Sequence, residues 1–192
     1  MPRPREFEEL DALDRAMQVF WKRGFENTSM EELVTATRVH RASIYATFGD
    51  KQALFLKTLD RYQNLEQTRL TAVLQAAASK LKIIRSILEN VAKDSARKDS
   101  QGCFMVNSIA ERASHDSETK ARARECLTRL SKLFETALTQ AQQTGEFDKD
   151  LDVRSFAIFL VNAVQGMRVL GKAGVSQRQL LANVDVTMKI FH

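Results

Sequence analysis

The chain has 192 residues and a mass of 21.8 kDa; with 44% hydrophobic and 28% charged side chains it can bury a core and is neither disordered nor collagen-like. Pro2 and Pro4 are its only prolines, no uninterrupted run approaches the roughly 18 apolar residues of a membrane span, and Cys103 and Cys126 lack partners at disulfide-framework or zinc-ligand spacing. The net charge of +5 does not by itself argue for nucleic acid, because residues 1–62 hold ten basic and ten acidic side chains and the excess, 19 against 14, falls in residues 63–192.

The composition predicts an all-α protein of about nine helices. Apolar residues Phe7, Leu10, Leu13, Met17, Phe20 and Trp21 recur every three or four positions and form one helical stripe that Gly24 ends. Thr28 and Ser29 each have a glutamate three residues on, a capping-box pattern that starts a short second helix reaching about Thr37. A third short helix follows after a tight turn, with Ile44, Tyr45 and Phe48 as its apolar or aromatic members and Gly49-Asp50 at its end. Asp50 caps a long fourth helix through Leu54, Phe55, Leu59, Tyr62, Leu65 and Leu70. Further helices are expected at about 81–96, 103–113, 117–144, 152–172 and 176–191. Within the first part the acids Glu6, Glu8, Glu9, Asp11 and Asp14 crowd early, whereas Arg38, His40, Arg41, Lys51 and Lys57 stand against Asp50 alone. The middle of that segment is a locally basic surface.

Two short helices joined by a tight turn and preceded by a longer one make a helix-turn-helix unit. The residues Ile44-Tyr45, Phe48, Lys51 and Leu54, set in the run from Thr28 to Phe55, resemble the N-terminal DNA-binding domain of the tetracycline-repressor (TetR) family, over about residues 10–60. The resemblance implies a DNA-binding domain at 1–50 joined by the long helix to a C-terminal helical effector-binding and dimerisation domain at 51–192. It implies a homodimeric, ligand-responsive repressor that binds a palindromic double-stranded DNA operator and is released by a small-molecule effector, in the cytoplasm, without cofactor, metal or membrane. Two positions depart from the family pattern: Arg38 stands where glycine is usual in the turn, and His40 where a small hydroxyl commonly caps the recognition helix.

The expected DNA-binding residues are Thr28, Ser29, Arg41, Ala42, Ser43, Tyr45, Ala46, Thr47 and Lys51. Helix N-termini at Thr28-Ser29 and Asp50-Lys51 offer free N–H groups to phosphates, and Lys51 adds charge. Tyr45 and Arg41 can reach phosphate, Arg41 also a guanine edge, while Ala42, Ser43, Ala46 and Thr47 face outward if Ile44 and Phe48 face inward. Each residue alone has a plainer reading, Tyr45 as a core aromatic, Ser43 as a local cap, Lys51 as a solvated lysine; the joint spacing is what points to DNA.

In the C-terminal part, the segment from Gly102-Cys103 through Asn107, Glu111 and His115-Asp116 resembles one branch of the family, where this short helix borders the effector cavity. Cys103, Asn107, Glu111, His115, Phe159 and Met167 are the expected effector residues, and Arg112 another polar candidate. Cys103, after a glycine at a helix start, is either an oxidant or electrophile sensor or a buried small hydrophobe. The last two helices carry the expected dimer interface, Phe156, Phe159, Leu160, Ala163, Val164, Met167, Leu181, Val184 and Met188. An enzyme is disfavoured, since there is no Gly-rich phosphate loop, no Gly-x-Ser-x-Gly elbow and no His-Glu-x-x-His, and a helical adaptor would have no basic recognition helix.

Overall fold

The computed structural model describes residues 3–191, and among them the chain forms nine helices and no strand: α1 Arg3–Arg23, α2 Met30–Thr37, α3 Arg41–Phe48, α4 Lys51–Ala76, α5 Lys80–Ser95, α6 Phe104–Arg112, α7 Ser117–Gln143, α8 Val153–Lys172 and α9 Gln177–Lys189. The side chain of Phe7, expected on the stripe of α1, lies outside the described residues. Helix starts follow the local chemistry. Ser29 Oγ accepts from the Glu32 N–H at 3.2 Å while the Ser29 N–H donates to the Glu32 carboxylate at 2.9 Å, which fixes the first turn of α2. Asp50 accepts from the Ala53 N–H at 2.7 Å at the head of α4, and Ser79, Asp152 and Ser176 cap α5, α8 and α9.

The chain gathers into two compact units, one containing the residues up to Leu65 with Phe104–Arg124, the other Glu66–Cys103 with the residues from Glu125 onward. In the first, Ala16, Met17 and Phe20 of α1, Leu33 of α2, Ile44 and Phe48 of α3, and Leu54, Phe55 and Leu59 of α4 are buried. Phe104 of α6 joins them through edge-on packing with Phe55 and Tyr62 at centroid separations of 5.9 and 5.8 Å.

Arg112, at the end of α6, is buried in this first unit. Its guanidinium donates to Glu26 at 2.7 Å, to Gln52 at 2.8 Å and to Asp116 at 3.1 and 3.2 Å. Asp116, the residue before α7, also accepts from the Gln52 amide at 2.8 Å and the Thr119 hydroxyl at 2.6 Å. Burial alone raises the Asp116 carboxyl, but the hydrogen bonds from Thr119, Gln52 and Arg112 outweigh it and hold the group well below the ordinary carboxylate range.

In the second unit, α5, α7, α8 and α9 share a core of Ile84, Leu88, Phe134, Leu138, Leu160, Val164, Leu180, Val184 and Met188. Phe147, Phe156 and Phe191 close one end with ring separations of 5.2 to 5.5 Å. This corrects the expected dimer interface. Leu160, Val164, Met167, Val184 and Met188 are buried within the unit's own core, and Phe156 and Leu181 pack against it, because α8 is apolar on two faces and the inner one covers α5. The exposed large apolar side chains are Ile158, Phe159, Val169 and Leu170 on α8, Val186 on α9 and Ile190 just after it, with Ala163 of α8 half-buried. α8 is also long and apolar enough by composition to cross a membrane, which the count of uninterrupted apolar runs did not anticipate; its inner face is core.

The Asp116 carboxylate makes a testable contribution to stability. It stays ionised in the folded chain where an unperturbed aspartate, with its pKa of 3.8, takes up a proton, so its stabilisation is complete above that value and is lost as the pH falls below it. Asp116→Asn should cost roughly 2–4 kcal/mol at neutral pH, with the gap to wild type holding down to about pH 4 and narrowing as the pH falls further. Urea unfolding followed by the fluorescence of Trp21, the one tryptophan and a member of the first unit, measures it. A gap independent of pH would contradict the assignment.

Candidate nucleic-acid interface

The recognition unit is built from α2 and α3. Ile44 and Phe48 are buried, so one face of α3 is spent on packing, and Arg41, Ala42, Ser43, Tyr45, Ala46 and Thr47 are all exposed on the others. The small residues leave room for a base edge or a thymine methyl to approach the helix, and the two long ones sit together: an Arg41 N–H donates to the Tyr45 hydroxyl at 3.4 Å, one turn along. Lys57 of α4, read from the sequence as part of the basic surface, donates to the Thr47 carbonyl at 3.2 Å and lies 5.3 Å from the Phe48 ring centroid. It clips the C-terminal end of α3, where carbonyls lack intrahelical donors, to the next helix.

Two helix N-termini flank α3 in the first unit. Ser29 is exposed at the start of α2 and Lys51 half-buried at the start of α4, its ammonium 4.3 Å from the Phe25 ring centroid. Thr28 is a correction. Its side chain is buried and its hydroxyl donates to the Gly24 carbonyl at 2.6 Å, so it ties down the α1–α2 loop instead of facing outward. Both departures from the family pattern have the expected structural mark. Arg38 has φ 60° and ψ 26°, the sole non-glycine residue at positive φ among the described residues, and His40 precedes α3 without a side-chain capping bond.

The expected effector residues are divided between the two units. Asn107, Glu111 and His115 belong to the first compact unit, Cys103, Phe159 and Met167 to the second. Glu111 is committed elsewhere, its two carboxylate oxygens accepting from the Phe25 and Glu26 N–H groups at 3.0 and 2.9 Å, while His115 and Phe159 are exposed. A Cβ at Gly24 would meet the Glu111 carboxylate at 2.7 Å, which explains why the loop turns on a glycine there as well as through its φ of +80°. Arg112 likewise turns into the first unit. Cys103 and Met167 are buried and Asn107 is half-buried. Both cysteines are free thiols, and burial, helped by the nearby Cys103, pushes Cys126 up to about 11, far from the thiolate form at neutral pH.

An exposed short helix of small and basic side chains, packed on a second short helix and flanked by two capped helix starts, defines a helix-turn-helix DNA-binding module. The comparisons with known proteins agree. Residues 12–58 match the family described as bacterial regulatory proteins, tetR family, and residues 68–183 match the tetracyclin repressor-like C-terminal domain. The chain is similar to the HTH-type transcriptional repressor ComR of Escherichia coli, 29% identical over 191 residues that cover 98% of this chain and 91% of that protein. It is similar also to the uncharacterized HTH-type transcriptional regulator YezE of Bacillus subtilis, 28% identical over 194 residues and 99% of each chain. Among solved structures, a cysteine-substituted form of the TetR family regulator CifR, complexed with 26-bp double-strand operator DNA, matches with a TM-score of 0.82 and 26% identity over 95% of each chain. The protein belongs to the tetR family and is a DNA-binding transcriptional regulator.

The turn of this module carries a removable cost. Arg38→Gly should raise stability by about 1 kcal/mol by relieving the left-handed backbone, and His40→Ser by a further ~1 kcal/mol by capping α3. Thermal unfolding read at Trp21 tests both, and a lower midpoint for Arg38→Gly would contradict the strain.

Proposed function

We propose that this protein is a homodimeric repressor that binds a palindromic operator through paired α3 helices and leaves it when a small molecule binds the C-terminal region, with residues 1–50 serving DNA and 51–192 serving effector and partner. The observation that carries the DNA half is the outward set on α3, Arg41 to Thr47, with only Ile44 turned in, beside the helix starts at Ser29 and Lys51. That ComR is a repressor and that CifR was captured on an operator support the direction of the effect and the kind of site. A role on the chromosome places the chain in the cytoplasm, and regulation by binding needs neither cofactor nor catalytic residues.

The effector half rests on the second unit. Cys103 and Met167 are buried there, and the Gln165 side-chain oxygen on α8 is buried with no hydrogen-bond partner, a group that a bound molecule's donor would satisfy. The dimer half rests on the outer face of α8 and α9, where Val186 is 61%, Val169 51% and Ile158 47% exposed and a side chain added at Gly166 would meet nothing. A second copy of the chain related by a two-fold axis would cover this face and set two recognition helices about one helical turn of DNA apart.

If Lys51 holds a phosphate, Lys51→Ala weakens binding to every duplex and lowers the slope of log affinity against log salt by about 0.9 per contact. Fluorescence anisotropy on mixed-sequence duplex measures the slope; an unchanged slope removes Lys51 from the interface. Val169→Arg or Val186→Glu should shift the protein towards monomer in sedimentation and abolish tight operator binding in parallel, since one subunit holds one half-site. A wild-type monomer at micromolar concentration that still binds an operator tightly would contradict the dimer.

A further inference from the structure

The last two residues of α6 grip the loop between α1 and α2, and the grip ends on the lysine that heads α4. Glu111 takes the Phe25 and Glu26 N–H groups on its two oxygens, and its neighbour Arg112 pairs with the Glu26 carboxylate and lies over Phe25, its Cζ 3.7 Å from the ring centroid. The Lys51 ammonium is 4.3 Å from the same centroid, so the two cations share one ring.

Gln52 completes the arrangement. It follows Lys51 in the first turn of α4, accepts from Arg112 at 2.8 Å and donates to Asp116 at 2.8 Å, so the backbone that carries Lys51 is tied to the residue that holds the ring. Arg112 is thereby bound on four sides, by Glu26, Gln52, Asp116 and Phe25, and is neutralised by two carboxylates, so its position is determined by contacts that have nothing to do with DNA.

We infer that Arg112 is a positioning residue for DNA binding: through Phe25 it sets the seat of the Lys51 ammonium, and so the geometry with which Lys51 meets a phosphate at the start of α4. The inference rests on the reading of Lys51 as a phosphate contact. Arginine is required because a lysine has no plane to stack and cannot serve three acceptors from one rigid fork. The aromatic ring is required because an aliphatic side chain of similar bulk offers no negative face to either cation.

The test is anisotropy titration of a mixed-sequence duplex of about 30 base pairs, long enough for two half-sites, over a series of salt concentrations. Phe25→Leu and Arg112→Lys should each weaken binding about threefold to tenfold and lower the salt slope towards that of Lys51→Ala, whereas Phe25→Tyr, which keeps the ring, should retain the wild-type slope. Phe25→Leu added to Lys51→Ala should weaken binding no further, because the ring acts only through the lysine. Should Arg112→Lys fail to fold, as judged by Trp21 fluorescence, the two Phe25 variants carry the test. A wild-type slope in folded Phe25→Leu, or a further loss when it is combined with Lys51→Ala, overturns the positioning role alone. An unchanged slope in Lys51→Ala overturns the phosphate reading and with it this inference, and the two failures are distinct.

Discussion

A guanidinium cannot be buried without its charge being matched, and in this protein that requirement draws four separate stretches of chain to one point. Glu26 comes from the loop before α2, Gln52 from the first turn of α4, Asp116 from the cap of α7, and Arg112 itself from the end of α6. Removing Arg112 leaves two carboxylates without their cation, and removing either carboxylate takes away half of the guanidinium's compensation, which costs more than a surface pair could recover. The module that presents α3 is therefore not closed by its own three helices; residues far along the sequence complete it.

That dependence explains what was legible from the sequence and what was not. Every helix of the recognition module could be read from local signals, because a capping box at Ser29 and Glu32, an N-cap at Asp50 and the inward pair Ile44 and Phe48 depend on neighbours within four positions. The partner of a charge is a different matter. Glu111 and Arg112 looked like polar contacts for an effector, yet their partners lie at Phe25, Glu26 and Gln52, separations of 60 to 86 residues that no periodicity encodes. The same limit applies to α8. A helix apolar on two faces gives one period, and only the packing of Leu160, Val164 and Met167 into the core shows that Ile158, Phe159 and Val169 are the side left over. Thr28 and Ser29 offered equivalent caps by spacing; the short bond from Thr28 to Gly24 decided between them.

The two unusual residues of the turn belong to the same picture. Arg38 holds a left-handed backbone that costs about 1 kcal/mol for a residue with a Cβ, and His40 leaves the first turn of α3 without a side-chain acceptor. Neither interaction positions α3 by itself. Its placement comes instead from Ile44 and Phe48 below and from Lys57, which binds the last-turn carbonyl of Thr47. The recognition helix thus has a weak start and a well-anchored end, and the small side chains from Ala42 to Thr47 lie between them.

The central claim, that the DNA-binding module is completed by the α6–α7 elbow, is tested most directly by hydrogen exchange at two amides. The Phe25 and Glu26 N–H groups sit in a loop and have the Glu111 carboxylate as their acceptor. In the intact protein both should exchange slowly, on the scale of buried helical amides and not of a loop, and Glu111→Ala should return both to rapid exchange while the amides of Leu54 and Leu59 on α4 stay protected. Rapid exchange at Phe25 and Glu26 in the wild type would show that the grip is not held in solution and would contradict the account.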